Sequence, residues 1–318
     1  MRKEELRIVF MGTPEFAVAS LAALVESGYN VVGVVTQPDK PVGRHGSQLQ
    51  KPAVKQYAEA HGLPVLQPEK MRNEEFLHSL SSWQADLQVV VAYRMLPKEV
   101  WDMPRFGTFN VHASLLPQYR GAAPINWVII NGEQQTGITT FFLDEQIDTG
   151  QMILREPVPI PADANVEYLY NQLMAKGAEL CVRTVDLILS TDGNVPALDQ
   201  KEFIEDGMEL HPAPKIFKET CQIDWNQPAK RIYDFIRGLS PYPGAWGLLK
   251  ANETFEAKIF QSEKTSLPCP AESGTLMVNK KQLFIATVDE WLEIKELQLS
   301  GKRRMNAADF INGMRNKL

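Results

Sequence analysis

Two styles of patterning divide this chain, and the division constrains its fold more than any single motif does. Through residues 1–189, apolar runs alternate with segments of helical spacing. Leu6 to Met11 reads as a buried strand, Gly12-Thr13-Pro14 as a turn, and Glu15 to Glu26 places Phe16, Leu21, Leu24 and Val25 on one helical face. Tyr29 to Thr36 predicts a second strand and Ala53 to Ala60 a helix, while Leu87 to Ala92 is a strand too apolar to face water on either side. Strand and helix in alternation build an α/β fold, here a doubly wound, mostly parallel Rossmann-like sheet covered by helices. From 190 to 214 the pattern lapses into Thr191-Asp192-Gly193-Asn194 and His211-Pro212-Ala213-Pro214, which reads as a linker. Over 215–318 short runs at Trp246 to Leu249, Thr254 to Phe260, Gly274 to Val278 and Gln282 to Ala286 are separated by close turns, with helices only at Ala229 to Arg237 and Ala307 to Met314. That stretch predicts a small, mostly β, OB-like barrel, an architecture that commonly binds nucleic acid.

Length agrees with two domains: 318 residues exceed the roughly 250–300 at which a single core stops growing. Hydrophobic residues at 44% and charged residues at 23% exclude disordered, collagenous and membrane-embedded classes. The start, Met1 to Phe10, runs from charged residues into a short strand with no long apolar region, so the expected location is cytoplasmic, with no membrane partner; separately, a monomer is expected. Cys181, Cys221 and Cys269 are odd in number and far apart, which predicts reduced thiols and no metal site. The net charge of −6 hides an asymmetry: residues 1–207 carry 17 Lys and Arg against 26 Asp and Glu, and residues 208–318 carry 16 against 13. The cationic surplus therefore sits in the second domain.

The densest run of unusual residues is Asn110-Val111-His112-Ala113-Ser114-Leu115-Leu116-Pro117, followed by Tyr119-Arg120-Gly121-Ala122-Ala123-Pro124. In an extended segment Asn110 and His112 project from the same face. Such a run at a strand end lies where open α/β sheets bind ligands. Further on, Leu143-Asp144-Glu145-Gln146-Ile147-Asp148-Thr149-Gly150 puts carboxylates in a turn able to meet that histidine.

Asn110, His112 and the Asp148-Thr149-Gly150 turn resemble the catalytic set of the folate-dependent formyltransferases. Ser114, Leu115, Leu116 and Pro117 match the folate-contacting signature of that family. The resemblance implies a formyl donor, 10-formyltetrahydrofolate, and no metal. Formyl transfer between nitrogens develops negative charge on the formyl oxygen and needs donors aimed at it rather than a covalent nucleophile. Asn110 supplies an uncharged N–H and His112 a second donor. Asp148 is expected to favour the imidazolium and fix its tautomer, so that the ring can pass a proton to the departing folate nitrogen. Asp148 is also a candidate for taking the proton of the attacking amine, directly or through a water.

Other segments resemble the branch of that family whose acceptor is methionyl initiator tRNA. These are Phe10-Met11-Gly12-Thr13-Pro14-Glu15-Phe16-Ala17, Gln37 to Arg44, Ile223-Asp224-Trp225, Phe235 to Pro243 and Gly301-Lys302-Arg303-Arg304-Met305. The resemblance implies tRNA contacts at Arg44 and, with the cationic surplus, at Lys302, Arg303 and Arg304; Lys230, Arg231 and Arg237 are further candidates. Two departures stand out. His45 to Gln50 lacks the several lysines common in the family, and Ala92-Tyr93-Arg94-Met95-Leu96-Pro97 has Arg94 where glycine is expected and is one residue short. A nicotinamide-dependent dehydrogenase is excluded because Pro14 and Phe16 stand where the fingerprint needs glycines. A sugar nucleotide or another amine is the alternative acceptor, though such an enzyme has no need of a basic second domain.

Overall fold

The computed structural model describes residues 1–42 and 48–314. In chain order the first elements are β1 (Arg7–Gly12), α1 (Glu15–Glu26), β2 (Asn30–Val35), β3 (Lys40–Val42), β4 (Gln48–Gln50), α2 (Ala53–Ala60), β5 (Val65–Leu66), α3 (Glu74–Ser82) and β6 (Leu87–Val91). They continue through α4 (Lys98–Trp101), β7 (Thr108–His112), α5 (Pro124–Ile130), β8 (Gln135–Phe142), β9 (Met152–Pro159) and α6 (Val166–Ser190). After short 3-10 turns at Gln200–Phe203 and Glu219–Cys221 come α7 (Ala229–Gly238), β10 (Ala245–Lys250), β11 (Thr254–Pro268), β12 (Leu276–Asn279), β13 (Gln282–Ala286), β14 (Glu290–Leu299), β15 (Met305–Asn306) and α8 (Ala307–Gly313). None of the described helices is long and apolar enough to cross a membrane. Two compact units interleave along the chain: Met1–Gly121, Thr136–Val158 and Asn171–Pro212 form one, and Ala122–Gln135, Pro159–Tyr170 and Ala213–Leu318 the other.

The first unit holds a seven-stranded sheet in the order β5-β2-β1-β6-β7-β8-β9. Strands β5, β2, β1, β6 and β7 run parallel, and β8 is antiparallel to β7. Every residue of β6 is buried, as a central parallel strand requires. Alternate residues serve opposite faces: Val9 and Met11 of β1 pack in one cluster with Phe76 and Leu80 of α3 and Val100 of α4. The side chain of Asn73 caps α3 by accepting from Phe76 N at 2.9 Å. With β6 and β7 parallel, their C-terminal ends open on the same sheet edge. The loops 92–97 and 113–121 leave from there.

The second unit is an antiparallel sheet in the order β10-β11-β14-β13-β12, with β15 paired to β14. A bridge from Lys250 at the end of β10 to Thr275, just before β12, brings the two ends of that path together. This closes the barrel that the spacing of short strands predicted. Register shifts in β11 at Ile259/Gln261, Gln261/Ser262 and Lys264/Pro268 provide the bends that closure needs. Its core joins Ile232 and Ile236 of α7 and Phe310 of α8 to Ile259, Ile285 and Ile294 of the sheet.

Candidate active site

Strand β7 carries the alternation that the sequence implied. Val111 faces α6, where a Cβ added to Gly177 would lie 3.5 Å from Val111 Cγ1. Asn110 and His112, one residue to either side, therefore share the opposite face. His112 is 6% exposed, and its Nε2 lies 2.9 Å from the carbonyl oxygen of Tyr119. A carbonyl only accepts, so Nε2 donates and carries a proton. The other ring nitrogen, Nδ1, faces Asp148 Oδ2 at 3.8 Å, beyond a direct hydrogen bond. The tautomer is thus set by the backbone of Tyr119 and not, as the sequence led us to expect, by Asp148. Tyr119 itself adopts a left-handed φ of 58°.

Asn110 adds the second polar group on this face. Its Oδ1 is buried and has no hydrogen-bond partner among the described residues. An unpaired buried amide oxygen costs about 1–3 kcal/mol, which fits a side chain that completes its bonding with a substrate group.

Asp148 sits in a strained conformation, φ 55°, which costs a non-glycine residue about 1–2 kcal/mol. The surroundings over-determine it. Its Oδ2 accepts from Gly121 N at 2.9 Å. Gln200, 1% exposed, donates from Nε2 to the carbonyls of Asp148 and Gly150, both at 2.9 Å. Gln200 Oε1 in turn accepts from Arg120 Nε at 3.1 Å and Nη2 at 2.6 Å. Upstream in the same loop, Asp144 Oδ1 accepts from Gln146 N at 3.0 Å and Thr149 Oγ1 at 2.8 Å. Gly150 is required sterically, because a Cβ there would lie 1.6 Å from the carbonyl oxygen of Phe142. The result is a carboxylate and an imidazole, 13% and 7% exposed at the side chain, held 3.8 Å apart.

The segment read as folate-contacting has a structural part to play here. Ser114 and Leu116 are 0% exposed, and Ser114 Oγ donates to the carbonyl of Gln118 at 2.7 Å. Thr139 Oγ1 donates to Ser114 O at 2.7 Å and accepts from Leu116 N at 3.1 Å. Ser114, Leu115, Leu116 and Pro117 thereby form the turn that returns Tyr119 over His112.

Of the expected tRNA contacts, Arg44 lies outside the described residues. Lys302, Arg303 and Arg304 are exposed between β14 and β15, with Arg304 paired to Glu296 at 2.7 Å. Arg237 is not a surface cation: it is 7% exposed, and it donates to Asp234 at 2.8 Å and to Ala164 O at 2.7 Å. Lys230 is paired to the same Asp234. No group of three metal-ligating side chains occurs among the described residues. Sequence reasoning missed Gln200 and the Tyr119 carbonyl. Gln200 lies in the stretch read as a linker and no motif marks it; a backbone carbonyl leaves no sequence signal at all.

With this geometry in view, the likeness to known proteins becomes specific. Residues 6–185 match the model of the formyl transferase family and residues 215–315 that of the formyl transferase C-terminal domain. A methionyl-tRNA formyltransferase of Parabacteroides distasonis is 58% identical over 318 residues, 99% of this chain and 98% of that one. Another, from Bacteroides fragilis, is 56% identical over 98% of this chain and 96% of its own. Among solved structures, the sugar 3N-formyl transferase WlaRD shares the fold at a TM-score of 0.63 and 17% identity, covering 95% of this chain and all of that one. HypX from Aquifex aeolicus in complex with tetrahydrofolic acid has a TM-score of 0.62 at 19% identity, covering 97% of this chain and 47% of that longer one. The chain belongs to the formyltransferase family, in the branch of the methionyl-tRNA formyltransferases.

Proposed function

We propose that this protein transfers the formyl group of 10-formyltetrahydrofolate to the amino group of methionyl initiator tRNA. The observation that carries this reading is the full-length likeness to methionyl-tRNA formyltransferases, both units included. The surplus of positive charge in 208–318 supports a polyanionic acceptor.

In this reading Asn110 donates from Nδ2 toward the formyl oxygen, where donors directed at the developing charge lower the barrier, and its unpartnered Oδ1 is left to accept from a substrate N–H. His112 holds its Nε2 proton against the Tyr119 carbonyl and works through Nδ1, which presents a lone pair or a proton toward the reacting nitrogens. Asp148 Oδ2 faces that nitrogen across 3.8 Å. No covalent nucleophile is required: Ser114 Oγ is committed to a turn. The tRNA is held by the exposed turn at Lys302, Arg303 and Arg304, with Arg44 as a further contact.

The test is transfer of labelled formyl from 10-formyltetrahydrofolate to methionyl initiator tRNA, with glycinamide ribonucleotide and an amino-sugar nucleotide as competing acceptors. Transfer to the tRNA alone is expected, with turnover falling by orders of magnitude in Asn110→Ala, His112→Ala and Asp148→Asn while tRNA affinity holds, as when an interaction made only in the transition state is removed. Transfer to another amine instead would overturn the acceptor and keep the site. Parallel loss of tRNA binding and turnover in all three variants would overturn the roles given to the trio.

A further inference from the structure

The loop that follows β6 is held almost wholly by side chains. Ala92 turns out of the strand with a left-handed φ of 47°. Among the described residues, the backbone of Tyr93 to Leu96 makes no hydrogen bond to other backbone groups. Three side chains supply what the backbone does not. Leu96 is 7% exposed in the cluster with Met71 and Val100. The Tyr93 hydroxyl donates to Met71 Sδ at 3.7 Å. Arg94 reaches furthest: Nη1 donates to the carbonyl of Glu69 at 2.9 Å and Nη2 to the carbonyl of Pro68. Its Nε is buried with no hydrogen-bond partner among the described residues, and the guanidinium lies 5.6 Å from the Tyr93 ring centroid. The segment it grips is anchored on its other side, since Gln67 Nε2 donates to Gln37 O at 3.0 Å and Asp39 Oδ1 at 2.7 Å.

The residues that directly follow these two clamped stretches, Lys70 to Arg72 and Met95 to Lys98, line one cavity of ≈ 570 Å³ together with Trp101 and Glu145. Glu145 belongs to the loop that carries Asp148, and the cavity lies at the C-terminal end of β6, next to that of β7. An apolar floor with cations at its rim suits a flat aromatic ligand bearing carboxylates, which is the chemistry of a folate. We propose that Arg94 is a positioning residue for the formyl donor, its fork across the Pro68 and Glu69 carbonyls holding the 92–97 loop as the wall against which the donor packs. This rests on the functional reading above only for the identity of the donor. A planar fork bridging two carbonyls is a role for arginine that lysine fills by half, and glycine or alanine not at all.

The experiment compares wild type, Arg94→Ala and Arg94→Lys in two measurements. In steady-state formyl transfer, Arg94→Ala should raise KM for 10-formyltetrahydrofolate about tenfold, equivalent to about 1.4 kcal/mol, with kcat and KM for the tRNA within twofold and Arg94→Lys intermediate. In calorimetric titration of the free protein with tetrahydrofolate, the affinity should fall by the same factor in the same order. An unchanged donor KM and tetrahydrofolate affinity in Arg94→Ala would overturn the proposal, as would kcat and both KM values changing together with a lowered Tm. Should Arg94→Ala not fold, Arg94→Lys alone decides by the same split. Were wild type to bind tetrahydrofolate yet transfer nothing to tRNA, the acceptor reading would fail while the titration still decided the role of Arg94.

Discussion

Gln200→Glu isolates the support beneath Asp148. The substitution conserves volume and keeps the acceptor that Arg120 uses, but it replaces an amide donor with an oxygen facing the carbonyls of Asp148 and Gly150 at 2.9 Å. Two lost hydrogen bonds of about 1 kcal/mol each, with oxygen-to-oxygen repulsion added, make about 2–3 kcal/mol against the present loop. That exceeds the restraint needed to offset the about 1–2 kcal/mol strain of a left-handed Asp148, so the loop should relax and carry the carboxylate away from His112. A shift of 2–3 kcal/mol corresponds to a fall of about 30- to 150-fold in kcat. The assay is single-turnover formyl transfer at saturating substrates, with a thermal melt alongside. An ion pair between Arg120 and the introduced carboxylate should keep Tm within a few degrees of wild type, separating loss of geometry from loss of fold. A kcat within threefold of wild type would refute the claim that Gln200 holds Asp148 in place.

Four further outcomes follow from the same structure. Gly150→Ala should destabilise by about 3 kcal/mol or more through the clash with Phe142 O; a urea-unfolding change below about 1 kcal/mol would show that the turn yields. Neutralising Lys302, Arg303 and Arg304 together should weaken tRNA binding and lower the slope of log affinity against log salt by about 2–3, whereas an unchanged slope would place the phosphates elsewhere. Arg237→Ala should cost about 1–3 kcal/mol in thermal or urea unfolding, because it removes the donor to Ala164 O and one of the two cations on the buried Asp234, Lys230 being the other, and should leave the tRNA affinity of the folded protein unaltered. Asp289 accepts from Ala229 N at the start of α7, and that bond holds its carboxyl below the ordinary value of 3.8. A lowered folded-state value means stability that is fully present above pH 3.8 and lost as pH falls through the folded value; the gap between wild type and Asp289→Asn in urea midpoint should therefore close in acid, and a gap constant with pH would refute it.

How much of this is legible in the sequence depends on how local the physics is. Helices α1 and α2 run from Glu15 to Glu26 and from Ala53 to Ala60, the limits that apolar spacing implies, because helical periodicity is written within a dozen residues. The strand β13 is bounded the same way. Among the elements left unmarked by the sequence pattern are β8, β9, β14 and the 25-residue α6. In β14 the charged Glu290, Glu293, Lys295 and Glu296 mask the apolar run, and ion pairs such as Lys295 to Glu263 at 3.2 Å become visible only across strands.

The candidate site divides along the same line. The resemblance to the folate-dependent formyltransferases pointed to Asn110, His112 and Asp148, while strand spacing by itself put only the first two on one face. Tertiary structure decided which bonds those groups make. The proton on His112 Nε2 answers to a carbonyl seven residues away, Asp148 is fastened by Gln200 from 52 residues away, and Arg94 finds its carbonyl partners 25 and 26 residues back. Side-chain spacing along an element is a property of the backbone period and is carried by the sequence itself. A hydrogen bond to a distant carbonyl is made to a group that every residue possesses, and no residue type announces it.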